Sequence, residues 1–346
     1  MESGRRTTLA DVAAAAGTTV PTVSKVLRGR SDVSAATRSR VMRAVGDLGY
    51  RGRSGRDVAS RPERSGLVDL VLSGVEGTWA NRALSGVERA AAAAGVDIVV
   101  SVARRPEDDT WLTRLLARDL GGAVLALVDA TSAQLATLAA ARVPTVLLDP
   151  VTQPPGTVAS VGATNWAGGR AAADHLVSLG HERLAVLGGR HRHLYSQARI
   201  DGFRSGVTQA GLELADDRVV HGDWSRAGAA RLAAGLLGGR TPPTAVFACS
   251  DTIALGVYDA ADAAGLRIPE DLSVVGFDDL PESEWVRPAL TTVRQPIAQM
   301  GEAALRMLLR ISADPPQDAP REELATTLVV RGSTAPGGAG HGRTRS

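Results

Sequence analysis

Residues 8–27, TLADVAAAAGTTVPTVSKVL, set two short helical patterns on either side of Gly17, and the second opens with small side chains. Leu9, Val12 and Ala13 recur at i, i+3 and i+4 as one apolar face. Thr8 stands where a hydroxyl caps a helix, and Asp11 falls at the third helical position beside the exposed amides. Thr19 is the expected cap of the next helix. Val23, Val26 and Leu27 turn inward from it and leave Val20, Pro21, Thr22, Ser24 and Lys25 near an outward-facing N-terminal end. A third helix is expected from Ser34, with Val41, Val45 and Leu48 closing a three-helix core. This is the pattern of a helix-turn-helix, whose second helix reads DNA.

The charge distribution agrees. Residues 1–64 hold thirteen Arg or Lys against six Asp or Glu, a net +7, whereas residues 65–346 hold twenty-six against thirty-one, a net −5. Arg28, Arg30, Arg38, Arg40, Arg43, Arg51, Arg53 and Arg56 are candidates for phosphate contact, which supplies affinity without sequence information. Taken alone, these charges also describe a solvated Arg-rich surface. Joined to the helical pattern, they point to double-stranded DNA.

A chain of 346 residues has room for about two or three domains. No apolar run reaches the roughly 18 residues of a spanning helix and no secretory leader opens the chain, so no membrane partner is expected and the cytoplasm is the expected compartment. Cys249 is the sole cysteine. It excludes an intramolecular disulfide framework, and its setting AVFACSD reads as the end of a buried strand.

Beyond residue 65 the pattern changes to strand and helix units. GLVDLVLSG, VDIVVSV, GAVLALV, VPTVLLD, ERLAVLGG, TAVFACS and LSVVGFDD read as strands, alternating with helical stretches around 82–94, 132–141, 166–179, 226–237 and 253–264. Continuous apolar strands fit parallel sheets covered on both faces, whose ligands gather beyond the carboxyl ends of the strands. The length fits two such sheets, divided near Gly162, with a cleft between two lobes.

The segments TLADVAAAAG, TVSKVL, VSAATRSRVMRAVGDLGY, HLVSLGHERLAVLGG, ARIDGF, IPEDLSVVGFDD and LTTVRQP, in this order, resemble a LacI/GalR-family transcriptional regulator over nearly the full chain. The resemblance implies an N-terminal all-α helix-turn-helix headpiece (1–50), a hinge or linker (51–65) and a two-lobed α/β body like periplasmic sugar-binding proteins (66–332). The N-lobe is then about 66–161 plus 293–322 and the C-lobe about 162–292 plus 323–332, joined by three crossings. Residues 333–346 read as a disordered tail. The resemblance further implies a homodimer on a near-palindromic operator, with a sugar or oligosaccharide effector that changes operator affinity. The wording GVERA, ATNW and VRPALTTVRQP narrows it toward members responding to plant-derived oligosaccharides.

In the headpiece the resemblance gives base reading to Val20 and Pro21, with Thr22, Ser24 and Lys25 positioning the helix or reading nearby edges. Val20 can meet a thymine methyl and Ser24 a base or phosphate, but Pro21 offers no side-chain hydrogen bond, and stiffening of the helix start is its alternative role. The linker RGRSGRDVASRPERS departs from the family pattern, in which a proline follows the aromatic residue ending the third helix and a leucine later wedges into the minor groove. Gly52 and Ala59 hold those positions, and alanine is too small to replace the wedge. Arg53, Arg56 and Arg61 remain to follow the groove, from a hinge that orders on DNA or a tether that stays flexible.

For the cleft, the resemblance selects Arg199 in ARIDGF, Trp224 in GDWS and Asp278 in GFDD. Arg199 offers five donors, Asp278 accepts from vicinal hydroxyls and Trp224 offers a flat surface to the C–H face of a sugar ring. Their alternatives are an interlobe salt bridge, a turn carboxylate and core packing, in that order; Asp279 reads as structural. Trp79, Asn81, Asp149, Ser250, Asp251 and Trp285 complete the candidate set, with Ser250 where several sugar-responsive members carry Asn. Asn165 reads as a helix cap, and Trp166 either enters the cleft or plugs the lobe interface.

No enzyme, metal or cofactor is expected. Adjacent Asp278 and Asp279 point oppositely on an extended chain and lack the facing geometry of a glycosidase pair, and His191-x-His193 has no further ligand at metal spacing. The alternative class is a solute-binding protein without regulatory output, against which the headpiece and the missing export signal speak. For dimerisation, the helix around 82–94 offers Leu84, Val87 and Ala90–Ala94 as a close-packing face, and the tail has no heptad that would make tetramers.

Overall fold

The computed structural model describes residues 8–27, 34–48, 66–314, 316 and 318–337. The chain divides into two compact units, residues 1–63 and 64–346. In the first, α1 (Leu9–Ala15), α2 (Val20–Leu27) and α3 (Ala35–Asp47) form the headpiece. Thr8 and Asp11 close a capping box, with Asp11 N donating to Thr8 Oγ1 at 3.3 Å and Thr8 N donating to Asp11 Oδ2 at 2.7 Å. Gly17 takes the left-handed turn between α1 and α2 (φ +59°). Val12, Ala13, Ala16, Val23, Val26, Val41 and Ala44 make the core, with Leu9 and Val45 packed against it. Leu48, expected in this core, is 39% exposed because α3 stops at Asp47 and leaves it beyond the last turn. Ala44 takes the place the sequence reading gave it. Arg28, Arg30, Arg51, Gly52, Arg53, Arg56, Ala59 and Arg61 lie outside the described residues, as do the side chains of Leu27 and Arg38.

The second unit holds two six-stranded sheets. Its first run is β1 (Leu67–Leu72), α4 (Thr78–Ala94), β2 (Asp97–Val102), α5 (Thr110–Leu116), β3 (Gly122–Ala126), α6 (Ser132–Ala140), β4 (Thr145–Leu148) and β5 (Ala159–Ala163). The second run is α7 (Asn165–Ser178), β6 (Leu184–Gly188), α8 (Leu194–Gln209), β7 (Val219–His221), α9 (Arg226–Leu237), β8 (Ala245–Ala248), α10 (Asp251–Ala263), β9 (Ser273–Asp278), α11 (Glu282–Trp285) and β10 (Thr291–Arg294). The chain then returns as α12 (Ile297–Ala313) and β11 (Arg321–Leu324) to the first lobe and as β12 (Thr327–Val329) to the second. Strand orders are β11-β5-β4-β3-β1-β2 and β12-β10-β9-β8-β6-β7. All pairs are parallel except β10 with β12.

Strands β3, β6, β8 and β9 are buried at every position, which is why they read as unbroken apolar runs: helices cover both faces of each sheet. The chain crosses between lobes after Ala163, Arg294 and Leu324. The tail reading needs correction. Ser333 is buried, its Oγ donating to Val274 O at 2.6 Å and accepting from Thr291 N at 2.8 Å, and Gly337 N donates to Leu179 O at 2.6 Å. Residues 333–337 are therefore pinned against the second sheet by hydrogen bonds that composition does not reveal, while 338–346 lie outside the described residues.

Of the small-residue face expected on α4, Val87 and Ala91 are buried within the lobe beside Ala80, Ala83 and Gly86, whereas Ala92, Ala93 and Ala94 are exposed. A Cβ on Gly86 would lie 1.9 Å from Ala298 O of α12, so the two helices meet backbone to backbone. Gly86→Ala is expected to destabilise the body by about 2–3 kcal/mol through overpacking. Gly235→Ala, at an exposed α9 position where a Cβ meets nothing within 4 Å, is expected to stabilise it by about 0.5–1 kcal/mol. Urea denaturation of both variants checks the pair, and equal effects would contradict the packing described.

Candidate functional site

On the headpiece, Thr22 N donates to Thr19 Oγ1 at 3.4 Å and the two hydroxyls lie 2.9 Å apart, which fixes the start of α2. With Val23 and Val26 buried beneath, the helix turns Val20 (40% exposed), Pro21 and Lys25 to solvent and leaves Thr22 and Ser24 half-buried. Pro21 occupies the first turn, where an amide has no intrahelical partner to lose. The result is a short, mainly apolar and hydroxyl-bearing helix tip with one cation a turn behind it.

In the body, a cavity of about 810 Å³ separates the lobes. Trp79, Asn81 and Asp149 line it from the first lobe, and Arg199, Trp224, Ser250, Asp251 and Asp278 from the second. Asp149 follows β4, Ser250 follows β8 and Asp278 ends β9, so the carboxyl ends of both sheets open into the same space. Asp149 (φ 50°), Trp224 (φ 69°) and Asp278 (φ 112°) are all left-handed. L-residues hold that conformation only where their surroundings over-determine it, and such positions cluster at functional sites.

Arg199 is the centre of the arrangement. It is only 2% exposed; Nε donates to Asn165 Oδ1 at 2.8 Å, and Nη1 donates to Cys249 O at 2.6 Å and Asp278 Oδ1 at 3.4 Å. The guanidinium carbon stands 3.8 Å from the centre of the Phe277 ring. The second terminal nitrogen, Nη2, has no hydrogen-bond partner among the described residues. Gly169 makes this placement possible, because a Cβ there would lie 2.0 Å from Arg199 O and hold α8 away from α7.

Burial pushes the carboxyls of Asp149 and Asp278 up to about 6, against the opposing pull of Arg199 on both and of Gln295 on Asp278. Gln295 Nε2 donates to Asp278 Oδ1 at 2.6 Å. Asp279 differs from its neighbour: burial works against its charge, but Arg294 at 2.6 Å and Arg331 at 2.7 Å outweigh it and hold the carboxyl below the usual range. Burial also raises the Cys249 thiol to about 12. Asp251 lines the cleft, yet its two oxygens accept from Leu280 N at 2.7 Å and Thr292 Oγ1 at 2.5 Å. Its carboxyl therefore holds the loop after β9. Ser250 Oγ accepts from Ile253 N at 3.1 Å as the cap of α10.

Trp224 lies over Gly189, where a Cβ would come within 1.8 Å of the indole. Its N–H donates to His193 Nδ1 at 3.0 Å, and Tyr195 Oη lies 2.8 Å from the same nitrogen. His193, considered in the sequence only as part of a metal fragment, and Tyr195, not singled out there, thus complete an aromatic wall. Burial first, and then Arg192, lower the His193 ring to about 4, which keeps Nδ1 an acceptor. Trp285 is a correction: it is 69% exposed and outside the cavity, because Ser283 is the buried position of α11 and a residue two further on points away. Trp166 lines a different cavity, of about 440 Å³. Among the described residues no His, Cys, Asp and Glu side chains group as metal ligands, and no helix is long and apolar enough to cross a membrane.

Residues 8–52 match the profile of bacterial regulatory proteins of the lacI family, and residues 173–334 that of a periplasmic binding protein-like domain. The HTH-type transcriptional regulator MalR of Streptomyces coelicolor is 37% identical over 347 residues, spanning 95% of this chain and 97% of that protein. The chain belongs to the lacI family. The HTH-type transcriptional regulator CelR of Thermobifida fusca is 34% identical over 96% of this chain and 100% of the relative. Among solved structures, a transcriptional regulator CelR–cellobiose complex aligns with a TM-score of 0.74 at 32% identity, over 95% of this chain and 100% of that one. The lac repressor dimer bound to operator and the anti-inducer ONPF aligns with a TM-score of 0.70 at 29% identity, over 96% and 100%. This family member is a sequence-specific DNA-binding transcriptional regulator and not an enzyme.

A carboxyl raised from 3.8 to about 6 stabilises the fold, relative to its ionised form, below pH 3.8, and that contribution is lost as pH rises through about 6. Asp278→Asn, fixed in the neutral form, is therefore expected to gain stability relative to the parent between pH 3.8 and about 6 and to hold that gain above. Urea midpoints across this range check it. A gain that shrinks with rising pH would contradict the burial argument.

Proposed function

We propose that the protein is a dimeric repressor of carbohydrate uptake or catabolism genes, released from a near-palindromic operator when a neutral sugar or oligosaccharide binds between the lobes. The observation that carries this reading is the convergence, in one cavity of about 810 Å³, of a donor on Arg199, acceptors on Asp149 and Asp278 and the Trp224 ring. Fixed donors and acceptors beside an aromatic face suit a polyol, whose hydroxyls need both and whose ring needs an apolar plane. The cellobiose complexed with CelR supports an oligosaccharide class, and the similarity to CelR and MalR supports the subgroup responding to plant-derived oligosaccharides. Trp79 and Asn81 bring the first lobe to the same ligand, so binding can bias the angle between lobes.

On the operator, Val20 and Pro21 meet base edges, Thr22 and Ser24 position the helix, and Lys25, Arg28, Arg53 and Arg56 contact phosphates. Two headpieces read half-sites a helical turn or more apart. Lys25→Ala is expected to weaken binding across duplexes and to reduce the salt slope by about one, while substitution of Val20 changes preference among them. A duplex-binding matrix over a salt series separates the two, and unchanged preference after Val20 substitution would count against its base contact.

The effector arm is tested by operator release in a screen of gluco-oligosaccharides. Loss of a charged hydrogen-bond acceptor is worth about 1.5–3 kcal/mol, so Asp278→Ala is expected to need roughly 10- to 100-fold more sugar for release while sugar-free operator affinity is retained. Release at the parent concentration would remove Asp278 from the mechanism.

A further inference from the structure

The second cavity, of about 440 Å³, is left unused by the function just proposed. Its floor is the edge of the first sheet, where β5 and β11 pair with Ser160 opposite Arg321 and Gly162 opposite Glu323. Side-chain alternation puts these four on one face, and all four line the cavity. A Cβ built on Gly162 meets nothing within 4 Å, and its φ lies outside the left-handed region. The gap over Gly162 is open space and no requirement of the backbone.

The facing wall comes from the second lobe: Trp166 at the start of α7, 47% exposed, beside Leu194 and Ala198 of α8. A single exposed indole needs no explanation. This one borders a recess whose polar groups are uncommitted: Gln153, Ser160 and Glu323 line the cavity, and their side chains make no hydrogen bond among the described residues. An aromatic plane bounded by a carboxylate, an amide and a hydroxyl is the surface that receives a sugar ring, with C–H groups on the indole and hydroxyls on the acceptors.

We propose that this cavity is a second saccharide site, taking one neutral sugar ring against Trp166 with Gln153, Ser160 and Glu323 as hydrogen-bonding partners. It is wired to the effector cleft. Asp149 and Tyr195 line both cavities, and Asn165, on the second, holds Arg199 Nε at 2.8 Å. A sugar in one cavity therefore changes affinity in the other, and by linkage the effect is reciprocal. That regulatory consequence rests on the cleft reading above, whereas binding at Trp166 does not.

The chain has five tryptophans, so the full-length protein labelled with 5-fluorotryptophan gives resolvable ¹⁹F signals, with Trp166 and Trp224 assigned by their Phe substitutions. Glucose, cellobiose and cellotetraose are titrated in turn. At least one is expected to move the Trp166 signal with a midpoint of its own, in Asp278→Ala protein as in the parent. Gly162→Leu, which fills the cavity, is expected to abolish that movement while the Trp224 response persists with its midpoint shifted by the lost coupling, and its persistence also reports that the variant is folded. A Trp166 signal that no sugar moves, that follows the Trp224 midpoint and vanishes in Asp278→Ala, or that survives Gly162→Leu overturns the second site. Movement at Trp166 with none at Trp224 retains it and sinks the cleft reading instead.

Discussion

A guanidinium held almost out of water is the constraint on which the body depends. Burying a charge is tolerated only when hydrogen bonds and opposite charge replace its hydration, and Arg199 finds these on three different elements: Asn165 on α7, the Cys249 carbonyl after β8 and Asp278 at the end of β9. The glycine contact between α7 and α8 brings the helix carrying Arg199 close enough to reach them. One side chain thereby fixes the second lobe's strand ends relative to each other. Its remaining donor is left for the cleft, and the partly compensated carboxyls beside it are poised to accept from a ligand.

The same residues lie where the lobes meet. Thr78 Oγ1 of α4 donates to Glu282 Oε1 at 3.0 Å, and Arg192 pairs with Asp129 at 2.5 Å, so the cleft is bridged by contacts that a change in lobe angle must remake. Three chain crossings connect the lobes. A ligand shifts such an equilibrium only by the difference in its affinity for the two arrangements, and a ligand touching Trp79 and Asn81 on one lobe and Arg199 and Trp224 on the other has the means to differ. Operator affinity follows if the two arrangements present the paired headpieces differently.

Much of this was legible in the sequence because its signals are local. Capped helices flanking Gly17 and apolar runs bounded by Gly and Asp have periods that need no tertiary information. Asp149 could be found because parallel strands deliver the residues after them to a common edge, whereas Arg199, Trp224 and Asp278 were selected by the family resemblance. Other features depended on contacts distant in sequence. β11, Arg-Glu-Glu-Leu, is a polar strand at a sheet edge and carries no apolar alternation. His193 and Tyr195 acquire meaning only when Trp224 folds over Gly189. Asp251 has the strand-end position of a ligand contact, but Leu280 and Thr292 occupy its oxygens. Trp285 shows the reverse error, an aromatic residue near the right loop but on the outward side of a four-residue helix. The helix at 297–313 has a clear apolar stripe. Its membership of the first lobe follows from the family resemblance, because its place after the last strands of the second lobe carries no local sign of it.

Linkage offers the most direct test of cleft-controlled DNA binding. The affinity of the releasing sugar is measured by calorimetry for the free protein and for the protein saturated with operator duplex. The account predicts weaker binding to the operator complex, by the same factor by which the sugar weakens operator binding. Equal sugar affinity in the two forms would contradict it, because a ligand indifferent to the operator-bound arrangement cannot drive release.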